Sequence, residues 1–191
     1  MEIAGILLAA GAATRFGSDK LMHPLASGVP IAVASARTLK SVLPRSIAVV
    51  RSADAKLAAL LASEGFEVVE CADAAEGMGR SLAAGVRAAP DAAGWVVALA
   101  DMPFLRPETI RRVIAALEAG HPIVAPMRQG VRGHPVGFAA AYRAELESSR
   151  GDAGARALLQ ARKDLVTPVE VDDPGVLRDI DTPGDLDVGE R

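Results

Sequence analysis

Short apolar runs bounded by turn residues alternate with longer alanine-rich stretches of helical period, and this alternation restricts the fold more than anything else in the chain. Runs at residues 3–8, 46–50, 66–69, 95–100, 122–125, 136–139 and 165–171 read as strands. Between them, residues 31–40, 53–63, 79–88, 107–119, 141–147 and 154–161 read as helices. Strand and helix in regular succession predict an α/β fold around a largely parallel sheet. Only 3% of residues are aromatic although 50% are hydrophobic, so Ala, Val, Leu and Ile must fill the core. That composition suits helices lying close against a sheet. With 191 residues, one domain spanning 1–191 is expected. Pro107 fits a first helical turn with Glu108 near the positive dipole end, and Gly120 can close that helix. The tail, residues 172–191, changes texture and is expected to pack along the edge of the sheet.

Charge and cysteine content exclude several function classes. A formal net charge of −3 gives no general attraction to nucleic acid or to an anionic membrane, so a bound phosphate must be held locally. Cys71, the single cysteine, excludes an intramolecular disulfide and a cysteine-only zinc site, and a reduced cytoplasm is expected. The first apolar stretch is short, lacks a basic start and runs into Thr14-Arg15-Phe16-Gly17. It reads as a buried strand with its loop, and as neither a signal peptide nor a membrane span.

Ligands of open α/β sheets bind at the carboxyl ends of the strands, which makes the residues just after each apolar run the informative ones. The first run is followed by Gly11, Arg15, Gly17 and Lys20. Gly11 permits close backbone approach, bent backbone can aim N–H groups at phosphate oxygens, and the two cations can neutralise charge. An ordinary strand-to-helix turn explains the same residues. Neither G-x-x-x-x-G-K-[ST] nor G-x-G-x-x-G fits: Gly17 is followed by Ser18-Asp19-Lys20, and Ala13 stands where a second glycine belongs. The fourth strand delivers Asp101 to its end just before Met102-Pro103, either as a metal ligand or as a turn former. In Asp179-Ile180-Asp181, alternation puts both acids on one face of an extended segment.

At this point the motifs match a known family. LAAGAATRFGSDKL (8–21), GMGRSLAAGV (77–86), LADMPF (99–104), GVRGHPVGF (130–138), GDAGAR (151–156) and DIDTPGDL (179–186) occur in order. In these the chain resembles the MobA-like nucleotidyltransferases, and within them the molybdenum cofactor cytidylyltransferases most closely. The resemblance implies a three-layer α/β/α Rossmann-like fold of the nucleotide-diphospho-sugar transferase (GT-A-like) type with a mostly parallel central sheet. It also implies Mg2+-dependent nucleotidyl transfer from a nucleoside triphosphate to a phosphorylated acceptor, with release of pyrophosphate. Carried over by motif, Leu8, Ala9, Ala10, Gly11 and Ala12 would meet the base and phosphates. Arg15 and Lys20 would neutralise the triphosphate, Gly79 and Ser81 would approach the nucleoside, and Asp101 with Asp181 would hold the metal, Asp179 being the alternative second acid. Lys20, Arg15 and Asp101 would be the catalytic set.

The acceptor side is expected at Arg132, Gly133, His134 and Pro135, and at Gly151, Asp152 and Arg156. A satisfied loop histidine explains His134 equally, and a plain helix entrance capped by Asp152 explains the second group. His23 and His121 precede prolines and read as structural. A phosphate monoester is already ionised at neutral pH, with a second pKa of roughly 6, so the absence of a G-x-S-x-G elbow or an H-E-x-x-H site is no obstacle. CTP is the expected nucleotide because, in this family, Ala at position 10 accompanies cytidine nucleotides and Gly accompanies guanine; GTP is the rival. Molybdopterin is the expected acceptor, with a sugar phosphate or other small phosphorylated compound as alternatives. No nucleic acid or membrane partner is expected, and a transient contact with a molybdoenzyme or its chaperone is. A non-catalytic nucleotide or cofactor delivery module and a nicotinamide oxidoreductase are the readings from other classes. The first does not need both metal-side acids, and the second lacks its dinucleotide fingerprint.

Overall fold

The computed structural model describes residues 2–11, 16, 19–151 and 154–187. Its first half runs β1 (Ile3–Leu8), α1 (Ile31–Lys40), β2 (Ser46–Arg51), α2 (Ala55–Ser63), β3 (Glu67–Cys71), α3 (Met78–Ala88) and β4 (Gly94–Leu99). The second half continues with α4 (Pro107–Glu118), β5 (Ile123–Arg128), β6 (Val131–Arg132), β7 (Val136–Ala139), α5 (Arg143–Glu147), α6 (Arg156–Ala161), β8 (Val166–Glu170) and α7 (Gly184–Asp187). The strands join in the order β3-β2-β1-β4-β7-β5-β6, with β8 also paired to β5. β1 lies parallel to both β2 and β4, β7 runs antiparallel to β4 and β5, and β8 is parallel to β5. The result is the expected α/β fold with a mostly parallel sheet.

Both faces of this sheet are covered, which is why β1 is apolar along its whole length. Alternation splits the strand between two cores. Ile3 and Leu7 pack with Ala36, Leu39, Leu61 and Ile110 of the layer formed by α1, α2 and α4. Ala4, Ile6 and Leu8 pack with Leu82, Val86, Leu146 and Leu159 of the layer formed by α3, α5 and α6. Trp95 and Phe138, the two largest fully buried side chains, lie in the second core, where the Trp95 indole N–H donates to the Ala89 carbonyl at 3.3 Å.

Strand order also sets the position of the cleft. From β1 the chain moves outward through β2 and β3, then returns to the other side of β1 as β4, so the order reverses between β1 and β4. Crevices open at such switch points, beyond the carboxyl ends of the strands. Leu8 stands opposite Leu99 in parallel register, and the Ala100 N–H donates to the Leu8 carbonyl at 3.0 Å. The segment after β1 and the turn carrying Asp101 therefore leave the sheet side by side.

The tail departs from its expected course. Instead of following a sheet edge it doubles back across the carboxyl ends of the strands, because its buried groups find their partners there. Asp173, 3% exposed, accepts hydrogen bonds from the Thr109 hydroxyl at 2.7 Å and from the N–H groups of Arg106 and Gly175, each at 2.9 Å. This carboxylate satisfies backbone at the start of α4, where Pro107 occupies the first turn as expected. Further on, the Val176 carbonyl accepts from the His134 N–H at 2.9 Å, and the Ile180 N–H donates to the Asp101 carbonyl at 2.9 Å. Ile180 is fully buried beside Phe16 and Ile31. Replacing Asp173 with Ala leaves several buried donors without an acceptor and is expected to cost about 2–3 kcal/mol in urea unfolding. A loss below about 0.5 kcal/mol, the range of an ordinary surface change, would refute this anchoring.

Candidate functional site

Three carboxylates and one ammonium meet where β1 and β4 end. Asp101 is carried there by the turn after β4, whose Ala100 carbonyl accepts a 2.8 Å hydrogen bond from the buried Ser35 hydroxyl of α1. Asp179 and Asp181 arrive on the returning tail, fastened by the bond between Ile180 and Asp101. One oxygen from each of Asp101, Asp179 and Asp181 lies within 4.8 Å of the others. Lys20, in the short 3-10 turn Lys20–Met22, reaches in from the other side. Its Nζ donates to Asp101 Oδ2 at 2.8 Å and to Asp181 Oδ1 at 3.3 Å. The Lys20 side chain is 11% exposed, so these contacts are only partly screened by water.

The electrostatics follow from that crowding. Burial by itself lowers the Lys20 pKa, but the hydrogen bonds and charges of Asp101 and then Asp181 outweigh it and leave the ammonium more basic than usual. Asp179 is pushed above the usual carboxylate range, first by partial burial and further by the charges of Asp181 and Asp101, against a backbone hydrogen bond and Lys20. Like charges gathered at one spot favour a cation. Hard carboxylate oxygens at this spacing are the donor set that magnesium or manganese takes, so the residues fit a divalent ion.

Two cavities meet at this cluster. The first, about 510 Å³, is lined by Ala10, Gly11, Lys20, Arg51, Gly77, Ser81, Asp101 and Asp181 among others. The second, about 420 Å³, is lined by Arg132, Gly133, His134, Arg156, Leu177 and Asp179 among others. Leu8, Met78 and Leu99 belong to both walls. Two ligands in these cavities would thus adjoin across the carboxylates.

Most residues singled out in the sequence converge here, though some play other parts. Ala9 is 1% exposed in the core on the α1 side, with its N–H donating to the Val49 carbonyl, and turns away from the cleft. Gly79 is spent on packing: a Cβ there would meet the Arg150 backbone at 2.6 Å, and its N–H donates to the Gly151 carbonyl. Gly77 and Met78 face the cavity in its place, because the chain turns at Gly77, where φ is +112°. Gly133 likewise abuts the Val176 carbonyl, so only a residue without a side chain lets the tail cross at this point. Pro135 is buried and does not line either cavity, and Gly151 serves as the partner of Gly79. Ala12, Arg15 and Asp152 lie outside the described residues.

Sequence reasoning missed Arg51. It ends β2, next to β1, and its Nη2 donates to the Gly11 carbonyl at 2.8 Å, holding the start of the loop that follows β1. It directly follows the apolar run 46–50, so the rule that singles out residues just after each run, applied to the second strand as to the first and fourth, would have found it.

His134 sits on the wall of the second cavity with its Nδ1 shielded from water and without a hydrogen-bond partner among the described residues. Burial, opposed chiefly by the charge of Asp101, lowers its pKa from 6.5 to about 4. The ring is therefore neutral at physiological pH. Two-dimensional NMR is expected to place its titration near 4, and a midpoint above 6 would disprove the burial. Because the folded value lies below the unfolded one, this group's share of stability is intact above pH 6.5. It is lost as pH falls towards 4, by about 3 kcal/mol in all.

Comparison with known proteins bears on the fold and the family. The sequence profile of the MobA-like NTP transferase domain matches residues 5–166. The purine catabolism protein PucB of Bacillus subtilis (strain 168) is 32% identical, over 98% of this chain and 95% of its own length. The nicotine blue oxidoreductase of Paenarthrobacter nicotinovorans is 32% identical, over 94% and 92%. Among solved structures, Rv0371c from Mycobacterium tuberculosis H37Rv superposes with a TM-score of 0.84 at 27% identity, covering 98% of this chain and 96% of that one. The same protein has been solved in complex with manganese.

Proposed function

We propose a specific reaction for this chain, which belongs to the MobA-like NTP transferase family and is a nucleotidyltransferase: it moves CMP from CTP onto molybdopterin carrying molybdenum and releases pyrophosphate, in the cytoplasm. The observation that carries this reading is the pair of cavities that share Leu8, Met78 and Leu99 and meet at three carboxylates. Such a layout suits two anionic substrates that must be brought together. In the first cavity, Gly11 and Lys20 would receive the triphosphate, while Ala10 and Ser81 would border the nucleoside; the sequence motif, and not the described structure, adds Arg15 as a further cation. In the second, Arg132 and Arg156 would hold the acceptor phosphate, and neutral His134 would offer its lone pair to an N–H or O–H of the acceptor.

An oxygen of the acceptor phosphate attacks the α-phosphorus. A new P–O bond forms, the bond from the α-phosphorus to the bridging oxygen of the pyrophosphate breaks, and pyrophosphate leaves with that electron pair. The attacking oxygen is already ionised, since the second pKa of a phosphate monoester is roughly 6. No protein base is required. What the residues must do is orient two anions and meet the charge that moves onto pyrophosphate, the main contributions to phosphoryl-type transfer. Asp101 and Asp181, with Asp179 beside them, would hold Mg2+, which when bound supplies neutralising charge to the triphosphate.

Pyrophosphate release with magnesium, across CTP, GTP, ATP and UTP and with molybdopterin or a panel of sugar phosphates, tests this reading. CTP with molybdopterin is expected to be the productive pair, and absence of turnover with every pair would overturn the reaction. The preference for CTP rests on Ala10, which lines the first cavity. A single methyl discriminates by about 1–3 kcal/mol, so GTP is the competitor to measure against. No helix among the described residues is long and apolar enough to cross a membrane. Because one relative is named an oxidoreductase, NAD(P)H consumption belongs in the same panel, with none expected.

A further inference from the structure

The segment that carries Asp181 is closed by a side chain outside both cavities. Asp185 Oδ2 accepts hydrogen bonds from the Thr182 N–H at 2.7 Å, the Thr182 hydroxyl at 2.9 Å and the Asp181 N–H at 3.0 Å. The first of these has the spacing of one half of a capping box, in which an acid reaches back to the N–H three residues earlier at the entrance of a helix. The third does not belong to a cap. It goes to the residue before Thr182, outside α7, and α7 itself is only four residues long. Three donors drawn to one oxygen are out of proportion to the needs of a single turn of helix.

Their effect falls on Asp181. On its amino side the backbone is fastened by the Ile180 N–H to the Asp101 carbonyl, and Ile180 is fully buried. At its own N–H and on its carboxyl side it is fastened by Asp185. The interval between those anchors is a single residue, so the backbone that carries the Asp181 carboxylate is held at both ends, and from there the carboxylate accepts from Lys20 and lies beside Asp101. Asp185 is held in turn by its own segment: the Asp185 N–H donates to the Thr182 carbonyl at 3.1 Å, and the Asp185 carbonyl accepts from Arg178, whose guanidinium lies 4.3 Å from the centre of the Phe104 ring.

We propose that Asp185 is a positioning residue for the metal-side carboxylate of Asp181, acting through the Asp181 and Thr182 backbone and not as a ligand. The proposal rests on the reading of Asp101, Asp179 and Asp181 as a divalent-cation site. It concerns a residue that touches neither substrate. Groups that orient a ligand in this way typically change metal affinity by about 10- to 100-fold when removed.

The test is Mn2+ binding to the full chain without nucleotide, followed by the EPR signal of free Mn2+, in the parent protein, Asp185→Ala and Asp185→Asn. Asp185→Ala is expected to weaken binding at least about tenfold, while Asp185→Asn, whose amide oxygen still accepts from the Asp181 and Thr182 N–H groups, stays within about threefold of the parent. Unchanged affinity in Asp185→Ala overturns the proposal. Equal weakening in both variants also overturns it, because the loss would then follow the charge and not the hydrogen bonds. Should the parent protein itself take up no Mn2+, the cation reading fails and the positioning role is decided by a crystal structure of Asp185→Ala. Loss of the contact between Asp181 and Lys20 supports the role, and its retention refutes it.

Discussion

Asp101→Asn is expected to lower kcat/KM for nucleotidyl transfer by at least about 10³-fold while leaving the fold intact. The reason for the size is that Asp101 is used twice. Its carboxylate belongs to the cluster suited to a cation, and it also receives the 2.8 Å hydrogen bond that holds Lys20 at the mouth of the first cavity. Asn keeps the shape and one acceptor oxygen, so Lys20 retains a partner and the backbone bond from Ile180 to the Asp101 carbonyl is untouched. What disappears is one negative charge at the place where a divalent ion and a triphosphate must meet. Pyrophosphate release reports the loss, and circular dichroism with thermal melting reports the fold. Turnover within about tenfold of the parent protein would remove Asp101 from the catalytic set.

How much of this was legible beforehand depended on the range over which each interaction acts. The first four strands and the helices between them could be read closely, since their periodicity is local and β1, β2 and β4 are buried along nearly their whole length, while β3, with Glu67 and Glu70 exposed, lies at the sheet edge. Residues 136–139 are the predicted and the observed β7 alike. β6, two residues long, has no periodic signal at all and exists because the turn at Gln129 and Gly130, both at positive φ, folds the chain back on β5. The antiparallel placement of β7 between β4 and β5 is a matter of topology, and no run of residues announces it.

Within the site the same division holds. Asp101 stands just beyond an apolar strand, Lys20 follows the glycine-containing loop after β1, and the spacing of Asp179 and Asp181 puts them on one face, so the four could be nominated from sequence. Their convergence could not, because it depends on a tail that crosses from β8 to the end of β4. The glycines were the least readable. Gly79 and Gly77 are two residues apart in one motif, yet one meets the Arg150 backbone while the other forms the turn at the cavity. Only the packed neighbour tells them apart. Asp185 had a readable signal, Thr-x-x-Asp before a short helix, but its third donor lies outside that pattern.

Lys20→Met is expected to move two measurements in opposite directions. In the parent protein the ammonium bonds to Asp101 and Asp181, two of the carboxylates suited to a cation, so a metal ion and Lys20 draw on the same negative charge. Removing one positive charge from this partly buried spot should tighten Mn2+ binding about five- to tenfold, the size of a coupling of about 1 kcal/mol between charges several ångströms apart in a moderately polar setting. Turnover should nevertheless fall about 10²- to 10³-fold, because the triphosphate loses a donor fixed at the junction of the two cavities. The metal-free variant should also be less stable, by about 1–3 kcal/mol, since Asp101 and Asp181 then face each other without a cation between them. Added Mn2+ should recover more of that loss than it contributes to the parent protein, by linkage between binding and folding. Calorimetric melting with and without Mn2+, set beside pyrophosphate release, measures all of these quantities. Weaker Mn2+ binding in Lys20→Met would mean that the lysine supports the ion instead of competing with it, and would reverse the electrostatic account of the site.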